Sequence, residues 1–568
     1  MRGTSFRVLL LLATLLFALG LAGCGGDDDD DAAGDTGATE TGEASASGGD
    51  LVFGTAADPV VLDGALVSDG ESLRAIDQIF ETLVSLKPGT TELEPGLASS
   101  WEISEDGLEY TFTLQEGVTF HDGEPFNAEA VCFNFDRWYN FTGSLQNPSA
   151  SYYWQTVFGG FAEFDPESGA PEESYFESCE AVDESTVVIR LTKPSSAILG
   201  ALSLSSFSIA SPKALTEFGA DEGTVDEEGI YHPTGTFGTE HPIGTGPFML
   251  DSWERGTRLT LVRYDDYWGE TAKLDSLVFT PIPDNAARLQ ALQSGDIQGY
   301  DLVEPQDIPT IEGDSNLQIL DRPAFNVGYV GINQAKPPMD ILEVRQALAH
   351  GLNRQEVVDS FYGGRGEVAT QFMPPDVLGW ADDVTTYDYD PELSKQLLQE
   401  AGLTLPVEIE FWYPSDVSRP YMPDPKRNFE AFAASLNEAG FKVVPKTAPW
   451  SPDYLGNVDE GNTQVYLLGW TGDFGDPDNF VGTFFQSAQP AWGFDNQEIF
   501  DILTEAETET DPAARTALYE DANRMIMDFL PGVPYVHTSP ALAFVAGVEG
   551  YVPSPVSLES FAPVTLPQ

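Results

Sequence analysis

The chain has very few residues suited to acid–base or metal chemistry. Its 568 residues include only five histidines and three cysteines, and the histidines are too scattered for the paired spacings of a zinc site. It contains neither a Gly-x-Ser-x-Gly nucleophile motif nor a His-Glu-x-x-His metal motif. The Gly-x-Gly-x-x-Gly spacing of a dinucleotide site is also missing. We therefore predict that the protein is not an enzyme and needs neither a metal nor a cofactor.

Basic residues are scarce as well. Lysine and arginine together number 26 against 92 aspartates and glutamates, for a formal net charge of −66. Such a surface repels nucleic acid and anionic lipid, so neither is expected as a direct partner. Two explanations of the acidity stay open. One is adaptation to a saline exterior, where salt screens self-repulsion; the other is a bias that keeps exported proteins soluble.

Long apolar runs are confined to the N-terminus. Val8–Leu19 follows two arginines and is too short for a confident membrane span, which is typical of a secretion signal. Leu-Ala-Gly-Cys ending at Cys24 predicts that 1–23 is removed and that Cys24 carries a lipid anchor. The alternative is an ordinary signal peptide with an incidental cysteine. Residues 24–50 are acidic and Gly-rich, which predicts a disordered tether. We expect an exported protein on the outer face of the cytoplasmic membrane or in the periplasm.

The other two cysteines form an even pair. Cys132 and Cys179 lie in the same part of an exported chain, which favours a disulfide. The alternative is two buried free thiols.

Strand and helix patterns alternate through residues 51–568, which indicates α/β layers. Strand patterns occupy 51–55, 109–115, 186–191, 258–263, 327–332, 407–412 and 465–470. Helix patterns begin after Asn127 and occupy 72–86, 284–294, 342–352, 355–361, 391–401 and 429–439.

Five longer segments occur in a recognisable order. They are YTFTLQEGVTFHDGEPFNAEAV (110–131), PIGTGPF (242–248), NVGYVGIN (326–333), VRQALAHGLNRQEVV (344–358) and GWTGDFGDPDNF (469–480). In order and approximate spacing the chain resembles the family 5 extracellular solute-binding proteins of peptide-importing ABC transporters, most closely the dipeptide-binding branch. The resemblance covers essentially all of 51–568.

The resemblance implies a fold of two α/β lobes, of the class II periplasmic-binding-protein type, joined by a two-strand hinge and closing over a ligand. Lobe I would comprise 51–323 with 540–568 returning to it, and lobe II 324–539. It also implies a monomer that delivers its ligand to membrane permease subunits.

The resemblance further implies two ligand-binding charges. Asp473 would pair with a peptide's amino group and Arg419 with its carboxylate. Asp473 follows an apolar strand pattern, at a position where open α/β sheets expose binding residues. Arg419 precedes a proline, which favours an extended loop, and arginine can grip a carboxylate with two hydrogen bonds. The structural alternatives are a turn-forming aspartate and a surface ion pair. Expected aromatic neighbours are Trp470, Phe474, Tyr421 and Trp412.

The expected function is capture of short peptides, with dipeptides foremost, for import by an ABC transporter. A binder of the same fold for longer oligopeptides, metal chelates, haem or sugars is the alternative. A surface sensor or chaperone without a transport role also stays open. The sequence does not specify ligand length, side-chain preference or affinity.

Overall fold

The computed structural model describes residues 48–225 and 231–567. Its strands are β1 Asp50–Thr55, β2 Val84–Leu86, β3 Leu93–Pro95, β4 Ala98–Ile103, β5 Glu109–Leu114, β6 Phe176–Ala181, β7 Thr186–Leu191, β8 Gly223–Val225, β9 Tyr231–Pro233, β10 Phe248–Glu254, β11 Arg258–Arg263, β12 Ser276–Pro281, β13 Gly299–Tyr300, β14 Leu317–Asp321, β15 Asn326–Ile332, β16 Gly366–Glu367, β17 Val407–Pro414, β18 Phe441–Ala448, β19 Val465–Thr471, β20 Gly532–Thr538 and β21 Ala541–Val545.

The α-helices are α1 Gly70–Ile79, α2 Ala128–Tyr139, α3 Tyr152–Phe158, α4 Ile198–Ala201, α5 Pro212–Glu217, α6 Phe237–Glu240, α7 Asn285–Ser294, α8 Ile308–Glu312, α9 Leu342–Gly351, α10 Arg354–Phe361, α11 Pro391–Glu400, α12 Pro425–Glu438, α13 Leu455–Asp459, α14 Val481–Phe485, α15 Gln497–Thr508 and α16 Pro512–Phe529. The predicted mixed α/β class is confirmed.

The larger sheets divide the fold into two lobes. The first lobe contains a seven-stranded sheet in the order β10-β11-β12-β1-β13-β21-β14 and a four-stranded sheet in the order β4-β5-β7-β6. The second lobe contains a six-stranded sheet in the order β16-β20-β15-β19-β17-β18. Each lobe has its own buried hydrophobic core.

Two neighbouring connections join the lobes. The chain passes from β14 to β15 and returns from β20 to β21. Strand β14 pairs with β21 in the first lobe's sheet, and strand β15 pairs with β20 in the second lobe's sheet. Arg322, directly after β14, is buried and donates to Asp301 (2.9 Å) and to Glu559 of the first lobe. Because a buried charge is tolerated only when its partners satisfy it, this network fixes the start of the hinge to the first lobe.

Local capping accounts for several helix boundaries predicted from the sequence. Asn127 accepts the amide hydrogen of Ala130 at 2.9 Å and begins α2 as an N-cap. Gly295 ends α7 in the left-handed conformation (φ 81°), which favours glycine. The helix predicted over 429–439 begins earlier, at Pro425, because Asp424 caps it and proline suits the first helical turn.

The helix predicted over 72–86 is too long. Helix α1 ends at Ile79, and Phe80 is extended with φ −121° and ψ 161°. The next residue, Glu81, accepts hydrogen bonds from Thr245, Tyr267 and Trp268, all distant in sequence. These tertiary contacts draw the chain out of the helical path and into the strand β2.

A disulfide joins Cys132 of α2 to Cys179 of β6, with an S–S distance of 2.00 Å. It attaches the helix to the four-stranded sheet of the first lobe.

Cys24, the signal sequence and most of the predicted tether lie outside the described residues. Within the described part of the chain, no helix combines the length and apolarity needed to cross a membrane.

Candidate ligand-binding site

The two predicted binding charges follow neighbouring parallel strands. Strands β17 and β19 pair in parallel, with Phe411 opposite Val465, so their carboxyl ends lie at the same edge of the second lobe's sheet. Arg419 lies in the loop after β17, and Asp473 lies two residues beyond β19. This edge is where open α/β sheets place ligand-binding loops.

The loop after β19 holds Asp473 through a single asparagine. Asn479 accepts the backbone N–H of Asp473 at 2.7 Å and the indole N–H of Trp470 at 3.3 Å. The Nδ2 group of Asn479 then faces Asp473 Oδ2, at 3.4 Å. Asn479 belongs to the quoted GWTGDFGDPDNF segment, but sequence reasoning assigned it no role.

A tyrosine from the other lobe reaches the same carboxylate. Tyr153, in α3 of the first lobe, donates its hydroxyl hydrogen to Asp473 Oδ1 at 3.0 Å. The two residues are 320 positions apart, and no local pattern around Tyr153 indicates the contact. The site therefore includes a residue that sequence reasoning missed.

Asp473 is a carboxylate without a cation. No lysine, arginine or histidine among the described residues forms an ion pair with it. Loss of solvent raises the pKa of Asp473 to about 6, although hydrogen bonds from Tyr153 and Asn479 oppose the rise. A ligand ammonium at this position would restore the charge compensation that the protein itself does not supply.

The backbone around Arg419 is rigidly held. Arg419 and Met422 exchange two backbone hydrogen bonds, of 3.1 and 2.9 Å. The carbonyl oxygen of Tyr421 accepts the hydroxyl groups of Tyr362 and Tyr535, at 2.9 and 3.0 Å. These two tyrosines lie far from the loop in sequence, so only the fold shows that they support it.

The Arg419 side chain is a cation without a carboxylate partner. Its guanidinium lies 4.8 Å from the ring centroid of Trp450 and beside the Tyr421 hydroxyl, and Nη1 donates to the carbonyl oxygen of Ser418 at 3.4 Å. No ion pair to Arg419 occurs in residues 48–225 and 231–567. In a chain of net charge −66, this is the condition expected of an arginine that binds an external anion. The predicted alternative of a surface ion pair is not observed.

Tyr421, in the loop of Arg419, packs against the strand that leads to Asp473. A Cβ atom built on Gly469 would lie 2.3 Å from the Tyr421 ring, so the ring needs glycine there, in the strand that leads to Asp473. Trp412, at the end of β17, has a buried indole nitrogen without an acceptor among the described residues. Tyr421 thus supports the strand that leads to Asp473.

The remaining two aromatic candidates, Trp470 and Phe474, pack in different places. Trp470 stays beside Asp473, sharing Asn479 with it and contacting Phe484 at a ring distance of 5.9 Å. Phe474, the other expected aromatic neighbour, packs against the first lobe. It is only 4% exposed, and it packs into the hydrophobic core of the first lobe, near Gly200.

One cavity at the hinge includes Arg419 but not Asp473. Its other lining residues include 302–305 of the first lobe, Arg365, and 538–541 of the hinge. The structure therefore brings the two charges to one sheet edge without joining them in this cavity.

The fold is that of a two-lobe protein, with the candidate binding charges Asp473 and Arg419 at one sheet edge of the second lobe. Residues 92–492 match the model of the bacterial extracellular solute-binding proteins, family 5. The chain belongs to this family, whose members serve ABC importers and are not enzymes.

Individual relatives extend the match to nearly the whole chain. The dipeptide-binding protein of Escherichia coli K12 is 34% identical over 91% of this chain and 94% of its own length. Heme-binding protein A of Haemophilus influenzae is 32% identical, covering 98% and 99%. A solved ABC-transporter-associated binding protein of Helicobacter pylori, in complex with the peptide STSA, has a TM-score of 0.74 at 29% identity and covers 92% and 98%.

Proposed function

We propose that the protein is a lipid-anchored receptor that captures short peptides, dipeptides foremost, between its lobes and delivers them to the permease of an ABC importer. The lobes in this proposal are 51–323 with 540–568, and 324–539. The observation that carries it is the pair of uncompensated charges, Asp473 and Arg419, at one sheet edge. The dipeptide-binding relative supports the same ligand class.

The chemistry matches a free peptide. Its ammonium would pair with Asp473 and its carboxylate with Arg419, through two parallel hydrogen bonds. Because the protein's charges are fixed, they select ligand length and free termini rather than side chains. Loss of either partner would leave a desolvated ligand charge, at a cost of about 2–5 kcal/mol.

Longer peptides are the second candidate. The cavity that includes Arg419 extends toward the hinge and does not include Asp473. If the chain of a bound peptide runs through this cavity, Arg419 would contact it internally rather than at its carboxylate. The relative solved with the peptide STSA shows that a neighbouring fold accommodates such a ligand.

Calorimetric titration of the mature protein would test the proposal. A neutral dipeptide would be compared with its N-acetylated and C-amidated forms and with a tetrapeptide. The variants D473N and R419M would each be paired with a control that removes an exposed charge of the same sign, D495N and R427M.

Tight binding of the free dipeptide, lost with either cap and in both site variants but retained in both controls, would support the proposal. Binding that tolerates the C-terminal cap and improves with the tetrapeptide would favour longer peptides. No binding of any peptide would contradict both, and haem, metal chelates and sugars would then be titrated.

The lipid anchor needs a separate test, because Cys24 lies outside the described residues. We expect a radiolabelled fatty acid to be incorporated into the wild type and not into C24A, and only the wild type to remain with the membrane fraction. A soluble, unlabelled wild type would contradict the anchor.

A further inference from the structure

We propose that Tyr153 is a positioning residue of the amino-group site. From the first lobe, its hydroxyl group holds one oxygen of Asp473 and leaves the other for the ligand's amino group, so the site is complete only when the lobes touch. The inference deepens the function proposed above and rests on it.

The two oxygens of Asp473 have unequal partners. Oδ1 accepts the Tyr153 hydroxyl at 3.0 Å, whereas Oδ2 has only the long contact of 3.4 Å to Asn479. An ionised carboxylate can accept about four hydrogen bonds. The strong acceptor capacity that remains is therefore on the Oδ2 side.

Both partners of Asp473 are held in place. The amide oxygen of Asn479 accepts two N–H groups, from Asp473 and Trp470, which fixes the orientation of its Nδ2 group. Tyr153 is 6% exposed and packs in the core of the first lobe, with Tyr152 edge-on at a ring distance of 5.1 Å. The phenol therefore reaches Asp473 as a consequence of how the lobes meet, and not through a mobile side chain.

The groups around the Tyr153–Asp473 hydrogen bond favour a donor that carries no negative charge. Tyr153 faces Asp473, Tyr152 and Asp69, and Tyr152 faces Asp473 and Asp459. These neighbours are acids and phenols, with no cation among them. A second charge of negative sign would destabilise ionised Asp473, whereas the Tyr153 hydroxyl stabilises it without adding charge.

The sign of the pH effect follows directly. Burial raises the pKa of Asp473, and the Tyr153 hydrogen bond opposes that rise. A ligand ammonium needs the ionised carboxylate, so affinity should fall as the pH falls through about 6. Removing the hydroxyl removes one of the two opposing hydrogen bonds. The loss of affinity should then begin at a higher pH.

The experiment is a dipeptide titration at pH values between about 5 and 8.5, using the wild type, Y153F, D473N and the matched control Y152F. Tyr152 neighbours Asp473 electrostatically, but its hydroxyl group does not bond it. We expect Y153F to bind about tenfold more weakly at neutral pH, since a hydrogen bond to a charged group is lost. We also expect its midpoint to move to higher pH, whereas Y152F matches the wild type. D473N should bind too weakly at every pH for a midpoint to be measured.

An unchanged midpoint and affinity in Y153F, with the wild type binding normally, would overturn the role of Tyr153 and leave the proposed function intact. A wild type that binds no peptide would overturn both. If Y153F fails to fold, a crystal structure of the wild-type dipeptide complex decides. Tyr153 bonded to Oδ1 with the ligand nitrogen at Oδ2 supports the inference, and a Tyr153 hydroxyl beyond bonding distance of Asp473 overturns it.

Discussion

Replacing Phe474 with alanine should weaken ligand binding more than it weakens folding. Phe474 belongs to the loop of Asp473, in the second lobe, yet its ring is 4% exposed and packs into the core of the first lobe. The residue therefore stabilises the contact between the lobes. Its loss should act on the equilibrium between open and closed lobes.

The burial of the Phe474 ring sets the expected free-energy cost of the substitution. Truncating a fully buried phenylalanine in a rigid core costs about 3–5 kcal/mol, including the cavity that remains. Lobes that can separate let water fill the gap, so the transfer contribution of about 1.5–3 kcal/mol is the better guide. Because a closed site is needed to hold the ligand, this corresponds to an affinity about 10- to 100-fold weaker.

Phe494 provides the matched control. It is 8% exposed and packs within the second lobe, against Phe485, Phe500 and Phe529. F494A should lower the melting temperature and leave the affinity unchanged, whereas F474A should lower the affinity strongly and the melting temperature less. Calorimetric titration and scanning calorimetry measure the two effects, and small-angle scattering with ligand should show a larger radius of gyration for F474A. An F474A variant that melts early but binds and closes like the wild type would refute the reasoning.

Two further predictions concern the acidic groups. The melting temperature should rise between about 0.1 and 1 M NaCl. Over this range the Debye length falls from about 10 to about 3 Å, so that salt screens the self-repulsion of a chain of charge −66. A melting temperature that stays constant or falls with added salt would contradict this. Burial and the neighbouring Asp476 and Glu507 raise the pKa of Asp478 to about 8, so its ionisation destabilises the fold as pH rises. D478N should therefore gain stability over the wild type between about pH 4 and pH 8, by on the order of 2 kcal/mol. Equal denaturation curves across that range would show that Asp478 remains hydrated.

Elements set by local chemistry were predictable. Asn127 and Gly295 determine a helix start and a helix end through their own side-chain and backbone preferences, and both are where the sequence predicts them. The helix α1 was predicted too long because its end depends on Glu81, whose three hydrogen-bond donors lie 164 to 187 residues away. A helical pattern carries no information about such distant partners.

Some features of the candidate site were likewise predictable from the sequence, and others were not. The position of Asp473 after a strand was predictable from the sequence. That Arg419 lies at the same sheet edge follows from the parallel pairing of β17 and β19, which only the structure shows. The aromatic surroundings were predicted less well. Phe474 was expected beside the ligand because it is an aromatic neighbour of Asp473 in the sequence. Its ring instead packs into the core of the opposite lobe, where it is removed from water.

The sequence by itself determined the strong negative charge, the α/β alternation and the family resemblance, and that resemblance implied the two residues proposed to bind the ligand's ends. Each depends on composition or on residues close along the chain. Only the tertiary structure decided that Tyr153 completes the surroundings of Asp473, and that Tyr362 and Tyr535 support the loop of Arg419. Those contacts join residues as much as 320 positions apart, and they exist only because the packing of two lobes brings distant side chains to the same edge.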